Sequence, residues 1–186
     1  MSKQSNKFGI QDPRKISLEL FTLTYGAFVA QLVKDYESCD EVNKQLDQIG
    51  YNMGIRMVED FLSRNPQVGR CSDFRETADV LSKQAFKMFL GITPLITNWN
   101  ATFDEFSLII DPNPLTEFVE LPENGKLDQL NYSQVICGAI RGALEMVQLK
   151  VDCFVKSDQL KGENNLTEIR VKFLEIILDA VPIGED

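Results

Sequence analysis

Cys71 lies in the stretch GRCSDFRETADV, directly after Arg70 and two residues before an aspartate that opens a helical pattern. A thiol attacks as its thiolate, and a helix N-terminus or a neighbouring cation favours that form. Arg70 adjoins the cysteine and Arg75 follows about one turn on, while Asp73 and Glu76 work in the opposite direction. Cysteine hydrolases and acyltransferases also use a histidine to carry a proton to the leaving group. The 186-residue chain contains no histidine, which disfavours repeated hydrolytic turnover. Thioester exchange asks less, because the attacking and leaving sulfurs are alike and no amine needs a proton. Cys71 can thus take an acyl group once from an acyl-CoA and keep it. A small residue in a turn is the plain alternative. A lipid carrier and an acyl-CoA thioesterase are two others.

The residues that follow must form the element beside that thiol. Asp73 (or Ser72) as N-cap with Glu76 three positions on reads as a capping box. Phe74, Ala78, Leu81, Ala85 and Met88 form an apolar stripe, and Gly91 closes the helix ahead of Pro94. Ala78 and Ala85 interrupt the large residues on this face. At about 1.5 Å per residue, Ala85 stands roughly 20 Å from the sulfur, comparable with a long acyl chain. The face leaves room for such a chain, against the alternative of ordinary alanine packing. Burial is worth about 0.8 kcal/mol per CH₂, so a chain held there belongs to the core and anchors no membrane.

The rest of the chain supplies a frame. LELFTLTYGAFVAQLV (residues 18–33) is apolar on almost every side, as in a helix buried in a core or across a subunit interface. Asp40 is the expected N-cap of the next helix, with Val42, Leu46, Ile49, Met53, Met57 and Phe61 on one face. Gly50 and Gly54 form a G-x-x-x-G pair, and Gly138 and Gly142 form a second in SQVICGAIRGALEMVQL. Each glycine costs about 1 kcal/mol mid-helix, so the first pair implies a close approach of another helix or strand. EFSLIID alternates, TEFVELP reads as extended, and LKVDCFVKSD and TEIRVKF alternate around a polar loop as a hairpin. The expected fold is α+β, with helices packed on a small antiparallel four-stranded sheet. Residues 1–15, with Lys3, Lys7, Arg14 and Lys15, are expected to be a flexible lead to one domain over 16–186.

Composition narrows the function classes. A net charge of −9 argues against nucleic acid as the main partner, since phosphate neutralisation needs clustered Lys and Arg. The four cysteines, Cys39, Cys71, Cys137 and Cys153, contain no C-x-x-C pair, and without histidine no zinc-type ligand set assembles. A reduced cytosolic protein with no metal is expected. Position 2 is Ser, which excludes myristoylation there, and the terminal IGED is no prenylation box.

ELFTLTYGAFVAQL, GYNMGIRMVEDFL, GRCSDFRETADV, AFKMFLGITPLITNW, FVELP and GAIRGALEMVQL together resemble the small-subunit family of the transport protein particle, TRAPP, above all its acylated core subunit. The resemblance runs from about Ser17 to Phe173. It implies dimerisation with other TRAPP small subunits through helices. It also implies a complex that tethers vesicles between endoplasmic reticulum and Golgi, bound peripherally to membranes, and that exchanges nucleotide on a Rab-type GTPase. It places a palmitoyl thioester on Cys71 with its chain in an internal hydrophobic channel. It makes Arg70 an aid to acyl capture and Ala85 a small residue of the channel wall. Relatives in that family often carry histidine after the cysteine, where this chain has Ser72.

Overall fold

The computed structural model describes residues 16–122, 125–162 and 166–178; the expected lead over 1–15 lies outside them. In chain order the elements are α1 (Leu18–Asp35), α2 (Cys39–Arg64), α3 (Phe74–Val80), a π-helical turn (Leu81–Ala85) and α4 (Phe86–Phe89). Then come β1 (Leu95–Thr97), β2 (Glu105–Ile110), α5 (Gln134–Met146), β3 (Leu149–Ser157) and β4 (Thr167–Ile176). The strands form one antiparallel sheet in the order β1-β2-β4-β3. The fold is α+β, and β3 and β4 are the expected hairpin.

Alternation decides which face of the sheet is covered. Phe106, Leu108 and Ile110 of β2 and Ile169 and Val171 of β4 are fully buried, with Val151 and Cys153 of β3 beside them. α5 packs on this face, and the Phe74 ring of α3 meets the rings of Phe106 and Phe173 at 5.3 and 5.5 Å.

The two glycine pairs explain each other. A Cβ on Gly50 would overlap the carbonyl oxygen of Val135, and one on Gly54 that of Ala139. From the other side, Gly138 faces Asp47 and Gly142 faces Tyr51 in the same way. Both helices therefore run in the same direction with their backbones in contact, and each supplies the gap the other fills. The contact is flanked by an ion pair between Arg141 and Asp47 and a hydrogen bond from Gln134 Nε2 to Asp47 Oδ1 at 3.0 Å.

Two expectations change, and one of the two placements left open for α1 falls away. The N-cap of α2 is Ser38, whose Oγ accepts from the Glu41 N–H at 3.3 Å, rather than Asp40. TEFVELP forms no strand. Asn113 diverts it: its Oδ1 accepts from Leu115 N at 3.1 Å and its carbonyl from Thr116 N at 3.2 Å, closing a 3₁₀ turn over Pro114–Thr116. The remaining strand is Leu95–Thr97, too short to show alternation. Finally, α1 is not a core helix. Only Thr22 and Val29 are buried, while Leu20 and Leu23 are 64% and 57% exposed. An apolar face of α1 is left open.

Candidate functional site

Between α1, α2, α3–α4, α5 and the end of β4 lies an apolar cavity of about 1680 Å³. Protein interiors normally close such space, and ligand pockets more often run about 300–1,000 Å³. Met53, Met57 and Phe61 of α2 form one wall; Ile136, Ile140 and Ala143 of α5 form another. Phe21, Tyr25 and Phe28 of α1 line a third side, and Phe173, Ile176 and Ile177 a fourth.

Cys71 is half-buried and lines this cavity within the segment Val68–Asp73, whose other members include the exposed Gly69, Arg70, Ser72 and Asp73. The thiol therefore stands at the mouth, between solvent and the apolar interior. The other three cysteines do not line the cavity. Cys39 Sγ donates to the Lys126 carbonyl at 3.4 Å, and Cys137 and Cys153 are buried. Burial, followed by a hydrogen bond with Cys137, pushes the Cys153 thiol well above its ordinary value.

The helix start beside Cys71 is fixed as the capping pattern suggests, with one change. Asp73 is the N-cap, and its Oδ1 accepts from Glu76 N at 2.8 Å. The Glu76 carboxylate reaches one residue further back than in a regular capping box and accepts from Ser72 N at 2.5 Å. That bond lowers the Glu76 carboxyl below its usual range, and it fastens the residue directly after the cysteine. Arg75 does not join the site: its guanidinium lies 3.3 Å over the Phe103 ring. Arg70 does: it lines the cavity, and its Nη2 donates to Gln148 Oε1 at 3.5 Å.

Phe74, Leu81 and Ala85 line the cavity; Ala78 and Met88, expected on the same wall, do not. Ala78 is fully buried in the core, and Met88 Sδ lies 3.6 Å from Asn65 Nδ2. The π-helical turn over Leu81–Ala85 accounts for Met88. A π turn inserts about one extra residue, which rotates the helix face that follows. Phe86, Phe89 and Leu90 therefore line the cavity where an unbroken α-helix would have presented Met88. Gln148 and the β4 end were likewise not anticipated, since they meet the site from about 75 residues or more further along the chain. Among the described residues there is no group of His, Cys, Asp and Glu able to hold a metal ion, and no helix is long and apolar enough to cross a membrane.

Helices covering one face of an antiparallel sheet, around an apolar space with a thiol at its mouth, define an α+β protein whose interior its own side chains leave partly open. Residues 21–172 match the family model described as transport protein particle (TRAPP) component. The chain is 50% identical over 190 residues to trafficking protein particle complex subunit 3 of Dictyostelium discoideum, covering 100% of both chains. It is 53% identical over 173 residues to the Saccharomyces cerevisiae subunit BET3, covering 92% of this chain and 88% of that one. A crystal structure of trafficking protein particle complex subunit 3 from Naegleria fowleri, covalently bound to palmitic acid, matches with a TM-score of 0.82 at 45% identity, over 89% of this chain and 100% of that one. The chain belongs to the TRAPP component family.

Proposed function

We propose that this protein is a core scaffold subunit of a TRAPP-type tethering complex, and that Cys71 carries a long-chain fatty acyl thioester, palmitoyl in kind, whose chain occupies the apolar cavity. The observation that carries the reading is the position of Cys71, alone among the four cysteines in lining that cavity. The covalent palmitic acid of the Naegleria fowleri relative supports it.

The acyl group arrives as an acyl thioester such as acyl-CoA. Cys71 Sγ attacks the carbonyl carbon, the bond to the donor sulfur breaks, and the proton lost by Cys71 passes through water to the departing thiolate. With no histidine to activate water, the product persists. A buried sixteen-carbon chain gains on the order of 10 kcal/mol relative to water. It therefore serves as part of the core and leaves membrane attachment to the assembly.

The open apolar face of α1, with Leu20 and Leu23 exposed, is the surface we assign to another TRAPP small subunit. The wider role is vesicle tethering between endoplasmic reticulum and Golgi, peripheral to the membrane, in an assembly that exchanges nucleotide on a Rab-type GTPase. Intact mass before and after hydroxylamine tests the acyl reading. Wild-type protein is expected to lose one long-chain acyl mass, and Cys71→Ser protein to carry none. An acyl mass that survives on Cys71→Ser would overturn it.

A further inference from the structure

We propose that Gln148 is a positioning residue for acyl capture, holding the Arg70 side chain over the cavity mouth beside Cys71. The inference rests on the reading of Cys71 above.

Gln148 follows α5 with φ +67, a left-handed conformation uncommon for a residue other than glycine and one that persists where surrounding structure imposes it. Two backbone hydrogen bonds impose it: Gln148 N donates to Glu145 O at 3.0 Å, and Ile177 N donates to Gln148 O at 2.9 Å. The residue is thus fastened to α5 on one side and to the end of β4 on the other. Its side-chain oxygen accepts from Arg70 Nη2 at 3.5 Å, joining two rims of the mouth that are 78 residues apart in sequence. Arg70, Cys71, Gln148 and Ile177 all line the same cavity.

An arginine side chain loses considerable rotamer freedom when it is fixed in place, and fixing it beforehand removes that cost from the reaction. The guanidinium keeps further N–H donors when Gln148 accepts one. Those donors suit the thioester carbonyl oxygen, which becomes an oxyanion when Cys71 Sγ attacks. The chemistry is the balanced exchange given above: the carbonyl–sulfur bond to the donor breaks, the bond to Cys71 forms, and the proton leaves on the donor thiol. Gln148 touches neither sulfur nor acyl group in this scheme; it acts through Arg70.

The test uses full-length protein stripped with hydroxylamine and palmitoyl-CoA as donor, with acyl incorporation followed by intact mass. Gln148→Gly removes the amide and supplies the residue best suited to a positive φ, so the fold is kept. Its initial rate is expected to fall about fivefold, the size of an ordinary net hydrogen bond, with an unchanged Tm. Arg70→Ala is expected to be slower still, and Arg70→Ala/Gln148→Gly no slower than Arg70→Ala, because the second change removes a partner already lost. A wild-type rate in Gln148→Gly, or additive losses in the double variant, would overturn the role of Gln148. Failure of wild-type protein to take up any acyl group would instead overturn the acyl reading itself.

Discussion

Gly138 of α5 lies against the backbone of Asp47 in α2 with no room for a methyl group between them. A Cβ there would overlap the Asp47 carbonyl oxygen and stand 2.9 Å from its carbonyl carbon. Alanine would gain about 1 kcal/mol of helix propensity at this position. Prying apart two packed backbones costs more, typically about 1–3 kcal/mol. Gly138→Ala is therefore expected to lower stability in denaturant titration. Gly69→Ala, where nothing lies within 4 Å of the added Cβ, is expected to leave it unchanged. Because α5 walls the cavity, Gly138→Ala should also lower the fraction of protein that retains an acyl group.

Ala85 and Ala78 separate two consequences of filling space. Ala85 lines the cavity, whereas Ala78 is fully buried in the core. Ala85→Leu places its extra carbons in the cavity and is expected to exclude the acyl chain while the protein folds. Ala78→Leu is expected to overpack the core and cost about 1–3 kcal/mol. Acyl content by intact mass and Tm of the hydroxylamine-stripped proteins separate the two. Equal acyl content in Ala85→Leu and wild type would show that the chain takes another path.

Glu76 ties the residue after Cys71 through its bond to Ser72 N. That bond lowers the folded-state carboxyl pKa. A depressed pKa contributes stability above the unfolded value, which is lost as pH falls through the folded value. Wild-type Tm should accordingly begin to drop as pH passes below about 4.5, the ordinary value for this group. Glu76→Gln removes the titration and is expected to show a shallower acid limb in scans between pH 6 and pH 3. Identical limbs would mean that the Glu76–Ser72 bond adds nothing in solution.

The sequence exposed those parts of the fold whose signals are local and periodic. Alternation at Val151, Cys153, Ile169 and Val171 located the hairpin, and Asp73 with Glu76 marked the helix start beside Cys71. The Gly50–Gly54 pair implied a close approach but not its partner, because partnership is a property of two segments and the motif describes one. Three features left no such trace. The π turn at Leu81–Ala85 changes which residues face the cavity without any glycine or proline to announce it. β1 spans three residues, less than two periods of alternation. Arg75 stands one turn from the site in sequence, yet it is drawn to the Phe103 ring by the loop that follows β1. For Arg75 a tertiary contact overrode the local pattern.

Tyr132 offers a test at the alkaline end. Its side chain is buried, its hydroxyl has no hydrogen-bond partner among the described residues, and its ring meets that of Tyr25 edge-on at 5.0 Å. Burial, with the nearby Asp158 carboxylate, pushes its pKa from 10.0 up to about 12. Burial likewise raises Tyr25, whose Oη donates to the Tyr132 carbonyl at 2.6 Å and ties α1 to the body. A group with a raised folded pKa contributes its full stability below the unfolded value and loses it as pH rises through the folded one. Stability is therefore expected to decline from about pH 10 toward pH 12. Tyr132→Phe removes a buried hydroxyl without a partner among the described residues, so it should be neutral or stabilising near neutral pH. It should also flatten part of the alkaline decline, leaving the share due to Tyr25. Tyr25→Phe removes both the titration and the bond from α1. It should destabilise by about 1 kcal/mol at neutral pH and loosen α1 in hydrogen exchange. Equal neutral-pH losses for the two variants would contradict these assignments, because only one of the two hydroxyls makes a bond to lose.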